Sequence, residues 1–265
     1  LAARHAFNPE RGVSAAYGYS VERDHIVHAP SLGYSQELLD RAVRATIRYG
    51  WSLESVGRSD DLAYLQHARG QRLDLGWTQI LRKDLILALL GTGTLTTCES
   101  FLGCFANPYR YVGVRRGNDI LAMSERHPAS RGTVAGAVRL VWALGRSEAL
   151  HLGYRLGGDS WRIVAHTVDA AFVTELLENR LLLRAETRAT LQGDASFYAA
   201  RYESGPGSLP AFRTADAELS TLWNLRVLAH MEWRIDPLRL VLQLGRMWNR
   251  YPDFPSLPAR TAWVF

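Results

Sequence analysis

The sequence predicts an α+β protein, with a central antiparallel sheet over about residues 109–168, helices before it and a helical part after it. Three observations predict this. Apolar residues recur at helical spacing in the segments before residue 100. Short β-rich runs separated by turn residues fill 109–168. Beyond Asp169 the helical spacing returns, together with cap residues. On this pattern residues 1–168 form an α+β domain carrying the candidate site, and 169–265 form either a helical subdomain or the outer layer of that same domain.

The elements follow in order. Residues 1–34 are rich in Gly, Ser, Tyr and His and read as loops, with a short strand at His25–His28. Ser35 caps a helix whose apolar face is Leu38, Leu39, Ala42, Val43, Thr46 and Ile47, and Gly50 ends it. A second helix runs over about 78–90 and stops at Gly91-Thr92-Gly93. A third opens at Thr96, where Thr96 and Glu99 have the spacing of a capping box and Cys98 falls in the first turn. Asn107-Pro108 ends that helix. Strands follow at Tyr111–Val114, Ile120–Met123 and Val138–Leu144. A Gly158-Asp159 turn closes a hairpin over 151–166 and sets His151 opposite His166 on one face. Helices then start at Phe172, Thr214 and Asp236-Pro237, the last with Asp as cap and Pro at the first helical position. Gly205-Pro206-Gly207 is a loop.

Composition narrows the function classes. The 265 residues are 47% hydrophobic and 22% charged, which suits a soluble globular protein. The formal net charge is +5, and Lys83 is the only lysine among the basic residues. Arginine suits bidentate contact with phosphate and carboxylate, but the charge is spread along the chain, so nucleic acid is a permitted partner that nothing indicates. Cys98 and Cys104 form no Cys-x-x-Cys pair, and on one helix they would point apart, against a mutual bridge. No apolar run reaches the roughly 18 residues of a membrane-spanning helix, and no signal-peptide core opens the chain. The default compartment is therefore the cytoplasm. Cross-strand histidines can share a metal, with Asp169 or His127 in the shell, but no metal-ligand spacing supports this. The sequence implies neither metal nor cofactor.

Cys98 at a helix start, followed by His151 opening His-Leu-Gly-Tyr-Arg-Leu-Gly-Gly, resembles the NlpC/P60 group of papain-like cysteine peptidases over about residues 96–166. That resemblance implies a nucleophile at Cys98, a general base at His151 and an orienting group at His166. The substrate would be peptide-like or acyl, as in the bacterial cell-wall amides that family cleaves. A thiolate at a positive helix end, a neighbouring imidazole and backbone donors make a coherent acyl-transfer site. The expected function is thus a cysteine-dependent hydrolase or acyltransferase. The alternative is a non-enzymatic basic module that binds nucleic acid or a protein partner through its arginine-rich surface.

Overall fold

Strand follows strand through nearly the whole chain. The computed structural model describes residues 2–8, 10–57, 61, 64–99, 104–106, 109–178, 180–203, 209–254 and 260–264. The strands are β1 (Ala2–Asn8), β2 (Arg11–Val21), β3 (His25–Leu38), β4 (Val43–Gly57), β5 (Leu65–Arg82), β6 (Leu85–Cys98), β7 (Tyr111–Arg116) and β8 (Asp119–Ser124). They continue with β9 (Ser130–Ala143), β10 (Glu148–Asp159), β11 (Val164–Leu176), β12 (Leu181–Gln192), β13 (Tyr202–Glu203), β14 (Leu222–Ile235), β15 (Leu238–Arg250) and β16 (Arg260–Val264). Thirteen of these form one sheet in the order β1-β2-β3-β4-β5-β6-β9-β10-β11-β12-β14-β15-β16. Each strand pairs antiparallel with the next, so the sheet is an up-and-down meander. The remaining three make a small sheet in the order β13-β7-β8.

The local reason is a period of two. In β4 the sequence Arg44-Ala45-Thr46-Ile47-Arg48-Tyr49-Gly50-Trp51-Ser52-Leu53-Glu54 sends Ile47, Tyr49, Trp51 and Leu53 to one face and Arg44, Thr46, Arg48, Ser52 and Glu54 to the other. In β5, Leu73, Leu75 and Trp77 alternate with Arg72, Asp74 and Gly76 in the same way. The registers keep like with like, pairing Arg48 with Asp74 and Ile47 with Leu75.

This architecture corrects the α+β prediction, including its leading helices and helical C-terminal part. The only helical element among the described residues is a short 3-10 turn at Ala217–Leu219. The helix predicted from Ser35 to Gly50 is the end of β3 and the start of β4, joined by a tight turn. Leu39, Asp40 and Arg41 have φ of 52°, 50° and 70° there. Apolar residues on either side of a hairpin turn imitate helical spacing, because the turn changes the parity. Leu177 and Glu178, with φ of 53° and 54°, do the same between β11 and β12. Asp236-Pro237, expected to start a helix, is the cis-peptide turn between β14 and β15. Gly91-Thr92-Gly93 lies inside β6 instead of ending a helix. The strands expected around 111–123 exist as the hairpin β7–β8, but they belong to the small sheet. Residues 168 and 169 are neighbours inside β11. Residues 100–103, 107–108 and 204–208, which include part of the expected cysteine helix and the Gly205 loop, lie outside the described residues.

The strand connections differ sharply between the two ends of the large sheet. At one end they are short: 39–42, 83–84, 144–147, 177–180 and 236–237. At the other end 22–24 is also short, but the long segments 99–129 and 193–221 lie there, together with 160–163. These last three pack together as a cap. Its first cluster is Trp161, Ile163, Ala195 and Leu219 with Phe105 and Phe197 against it; its second is Val112, Val114 and Tyr202. Trp161 meets Phe105 and Phe197 edge-on, each at a centroid distance of 5.2 Å, and the Arg131 guanidinium lies 4.4 Å above its ring. Asp159 Oδ1 accepts from the backbone N–H groups of Trp161 and Ile163, which fixes the 160–163 turn. The Tyr202 hydroxyl accepts from Thr214 N and donates to the Phe197 carbonyl.

Replacing Trp161 with Ala should cost the cap about 3–5 kcal/mol, the usual range for removing a buried aromatic. Limited proteolysis should then nick the 99–129 and 193–221 segments faster, with the far-ultraviolet β signal unchanged.

Candidate functional site

The structure does not assemble the predicted cysteine site. Cys98 closes β6 and is joined to Cys104 in a disulfide, with a Cα–Cα distance of 5.6 Å. The expectation against a bridge assumed both residues on one helix. With Cys98 at a strand end instead of on a helix, six positions suffice to bring them together. A bridged sulfur is no thiolate nucleophile. His151 pairs with Ala171 and His166 with Leu156, because β10 and β11 meet through a four-residue turn at 160–163 and not at Gly158-Asp159. The change of register moves the two histidines to opposite faces. His166 receives or gives a hydrogen bond at 2.8 Å with Tyr154 on the apolar face, while His151 lies on the polar face.

What the registers do assemble is a polar face dense in arginine. Reading across the sheet, one row of paired residues runs Glu37, Arg44, Thr78, Ala88, Arg139, Gly153, Asp169, Arg188, Arg226. A second runs Ser14, Gly33, Arg48, Asp74, Thr92, Ala135, Gly157. Long arginines thus stand among Gly, Ala, Ser and Thr, whose small side chains leave space over the sheet. Many are held by carboxylates: Arg72 to Asp74 at 2.8 Å, Arg131 to Asp159 at 2.7 Å, and Glu186 to both Arg184 and Arg226. Thr92 adds a hydroxyl to Asp74 at 2.7 Å. Arg44, Arg48, Arg139 and Arg155 have no ion pair among the described residues.

The other face is apolar and uncovered. Leu89, Val138, Leu152, Val168, Val227 and Leu244 are all exposed on it. Near the short-turn end it carries Trp77, Trp142 and Trp233; near the cap it carries Tyr17, Tyr19, Trp223 and Trp248. An exposed apolar band of this extent is foreign to a protein surrounded by water. No described helix is long and apolar enough to cross a membrane.

The comparisons agree with this geometry. The family model described as "Protein of unknown function (DUF3570)" matches residues 60–235, about two thirds of the sequence. The chain belongs to the DUF3570 family. The matched span runs from just before β5 to the end of β14 and so takes in the cap and most of the sheet. Similar solved structures include the ferric enterobactin receptor of Pseudomonas aeruginosa, at a TM-score of 0.56, 11% identity, and 92% of this chain against 41% of that one. CdiB from Escherichia coli aligns at 0.55 and 14% identity, over 96% of this chain and 48% of that one. The ferric-catecholate import receptor Fiu from E. coli aligns at 0.53 and 8% identity, over 95% and 48%. The DUF3570 chain therefore spans less than half the length of these structures. No curated protein matches its sequence.

The fold these structures share is that of outer-membrane β-barrel proteins. It overturns the papain-like resemblance, and with it the cysteine hydrolase or acyltransferase, for which the bridged Cys98 leaves no free thiol. The basic nucleic-acid or partner-binding module is overturned too, since many of the arginines line one face of a barrel-type sheet. The soluble, cytoplasmic default loses its basis, because a chain can cross a membrane as strands without any apolar helix. The signal for this was present in the sequence, in alternations such as Leu73-x-Leu75-x-Trp77 and Val134-x-Gly136-x-Val138-x-Leu140-x-Trp142.

The cap contains a buried titratable pair away from the arginine face. His127 is 3% exposed, edge-on to Trp161 and tilted against Phe197, with neither ring nitrogen hydrogen-bonded and its Nε2 3.8 Å from Glu125 Oε2. Glu125 Oε1 accepts from Thr214 Oγ1 and Ala215 N. Burial lowers the His127 pKa to about 4, with Arg131 and Arg110 adding to the effect and Asp216 opposing it.

The unfolded histidine takes up a proton near pH 6.5 while the folded one stays neutral to about 4. Cap stability should therefore fall as the pH drops through that window, by at most about 3 kcal/mol. His127→Leu should flatten the dependence, followed by Trp161 fluorescence against pH.

Proposed function

We propose that this chain forms a transmembrane β-barrel wall in a bacterial outer membrane and that its arginine face lines a water-filled interior that favours anionic solutes. The observation that carries the reading is the separation of the two faces. Lipid requires apolar side chains outside and fully paired backbone groups along every strand, and a barrel interior tolerates charge. The apolar face meets the first demand, with Leu and Val in the middle and Trp and Tyr towards both ends, as at the two interfaces of a bilayer. The meander meets the second from β2 to β15, each of whose strands is paired on both sides, and closure of the proposed barrel would pair the outer edges of β1 and β16. Short turns at one end and long segments at the other match the periplasmic and extracellular sides of such barrels and support an orientation with the cap outside the cell. The Cys98–Cys104 disulfide suits an oxidising compartment.

The interior chemistry follows from the charges. Rings of Arg in a pore select for anions. Here ion pairs with Asp74, Asp159, Asp169, Glu186 and Glu232 neutralise part of the arginine charge, and the unpaired Arg44, Arg48, Arg139 and Arg155 leave the face positive.

Membrane fractions should contain the protein after carbonate washing, and recovery in the soluble fraction would overturn the reading. Within β11, Val168→Arg on the apolar face should cost about 2–4 kcal/mol in lipid, the range for a lipid-facing arginine near the midplane. Ala165→Arg on the arginine face should cost well under half of that. Urea titration of both variants in phospholipid vesicles makes the comparison.

A further inference from the structure

The arginine face carries a pocket of about 190 Å³ across β9–β12, whose lining includes Arg139, Gly153, Arg155, Asp169, Arg188 and Thr190. We propose that this pocket binds a phosphate dianion, either free phosphate or the terminal group of a small phosphate monoester. The proposal rests on the arginine face being open to water, and it does not require the solute to cross a membrane.

Charge, shape and unmet hydrogen bonding point the same way. Three guanidinium groups and one carboxylate give the pocket two net positive charges, the complement of a dianion. Arg139 and Arg155 have no carboxylate partner among the described residues. Arg188 lies 3.7 Å from Asp169, and its buried Nε has no hydrogen-bond partner. A planar guanidinium offers paired N–H groups whose spacing fits two phosphate oxygens, and three such forks can surround a tetrahedral anion.

Gly153 makes room for the Asp169 carboxylate in the pocket wall. It stands between Arg139 and Asp169 in the row, and a Cβ there would collide with the Asp169 carboxylate. Without one, Asp169 lies over the glycine and Arg139 has no side chain beside it on β10. The hydroxyls of Thr167 and Thr190 border the same pocket, and, being hydrogen-bonded to each other at 3.1 Å, they leave one O–H as a further donor. The volume accommodates a phosphate with a few waters, each water occupying about 30 Å³ in the liquid. The pockets around Asp74 are larger, about 390 and 460 Å³, but their carboxylate is already engaged, since Asp74 takes Arg72 at 2.8 Å and Thr92 at 2.7 Å.

The test is calorimetric titration of the full chain, folded in detergent micelles at low salt, with inorganic phosphate and, separately, with glycerol 3-phosphate against glycerol. Saturable one-to-one binding of phosphate is expected. An Arg139→Gln/Arg155→Gln variant should bind at least about tenfold more weakly, and Asp169→Asn should bind several-fold more tightly because it removes the competing carboxylate. Equal affinity for glycerol 3-phosphate would assign a monoester, and strong preference for inorganic phosphate would assign the free ion. Both outcomes uphold the site. Absence of saturable binding in the unmutated chain, an unchanged affinity in the double variant, or weaker binding by Asp169→Asn would overturn it, provided circular dichroism and heat-shifted gel mobility show each variant folded. Membrane extraction is scored separately. Arginine-dependent binding in a protein that does not partition to membranes would remove the barrel reading alone, whereas membrane insertion without such binding would remove only the site.

Discussion

A polar face and an apolar face run the length of the large sheet, and the alternation of side chains along each strand keeps them apart. A shift of one residue in any pairing would turn a row of arginines towards the apolar side and a row of leucines towards the polar one. The registers leave little room for this. From β2 through β15, the described pairings of the large sheet show an irregularity only between Ile80 and Arg82, beside a short turn. Near the edge of the sheet, β1 has another between Ala6 and Asn8. Backbone hydrogen bonds between neighbouring strands and side-chain sorting across the sheet thus enforce the same arrangement.

The polar face solves a packing problem of its own. Arginine side chains are long, and a face crowded with them would leave charges close together with little water. Glycine, alanine, serine and threonine at the neighbouring positions open the space they occupy. The carboxylates sit where they hold specific arginines in place, as Glu186 does between Arg184 and Arg226. The result is a charged surface that is partly fixed and partly free, with the free arginines gathered where small residues leave pockets.

How much of this was legible in the sequence depended on the length scale. The β7–β8 hairpin was readable because its turn at Gly117-Asn118 is local and its strands are short. The long strands were not, for two reasons. Hairpin turns such as 39–42 and 177–180 place apolar residues from two strands at helical intervals, and Asp236-Pro237 carries the chemistry of a helix start while serving as a hairpin turn. Apolar alternation also looks weak when the polar partners are glycine and alanine, as in Val134–Trp142. The candidate cysteine site failed for a related reason. Asp159 caps the turn beyond it, which displaced the expected hairpin register and separated His151 from His166. Arginine abundance is plain in the sequence, but its concentration on one face depends on registers that only the folded sheet reveals.

The cap has a consequence for the order in which the molecule is made. Most contacts in the meander join strands that are neighbours in the chain, and such contacts close small loops and form early. The cap gathers segments from 99–129, 160–163 and 193–221, and its centre, Trp161, touches both of the distant ones. Those segments come within reach only once β6 and β9 through β12 already lie side by side. The cap is thus a late product of folding, and its completion marks a sheet whose strands have found their proper neighbours.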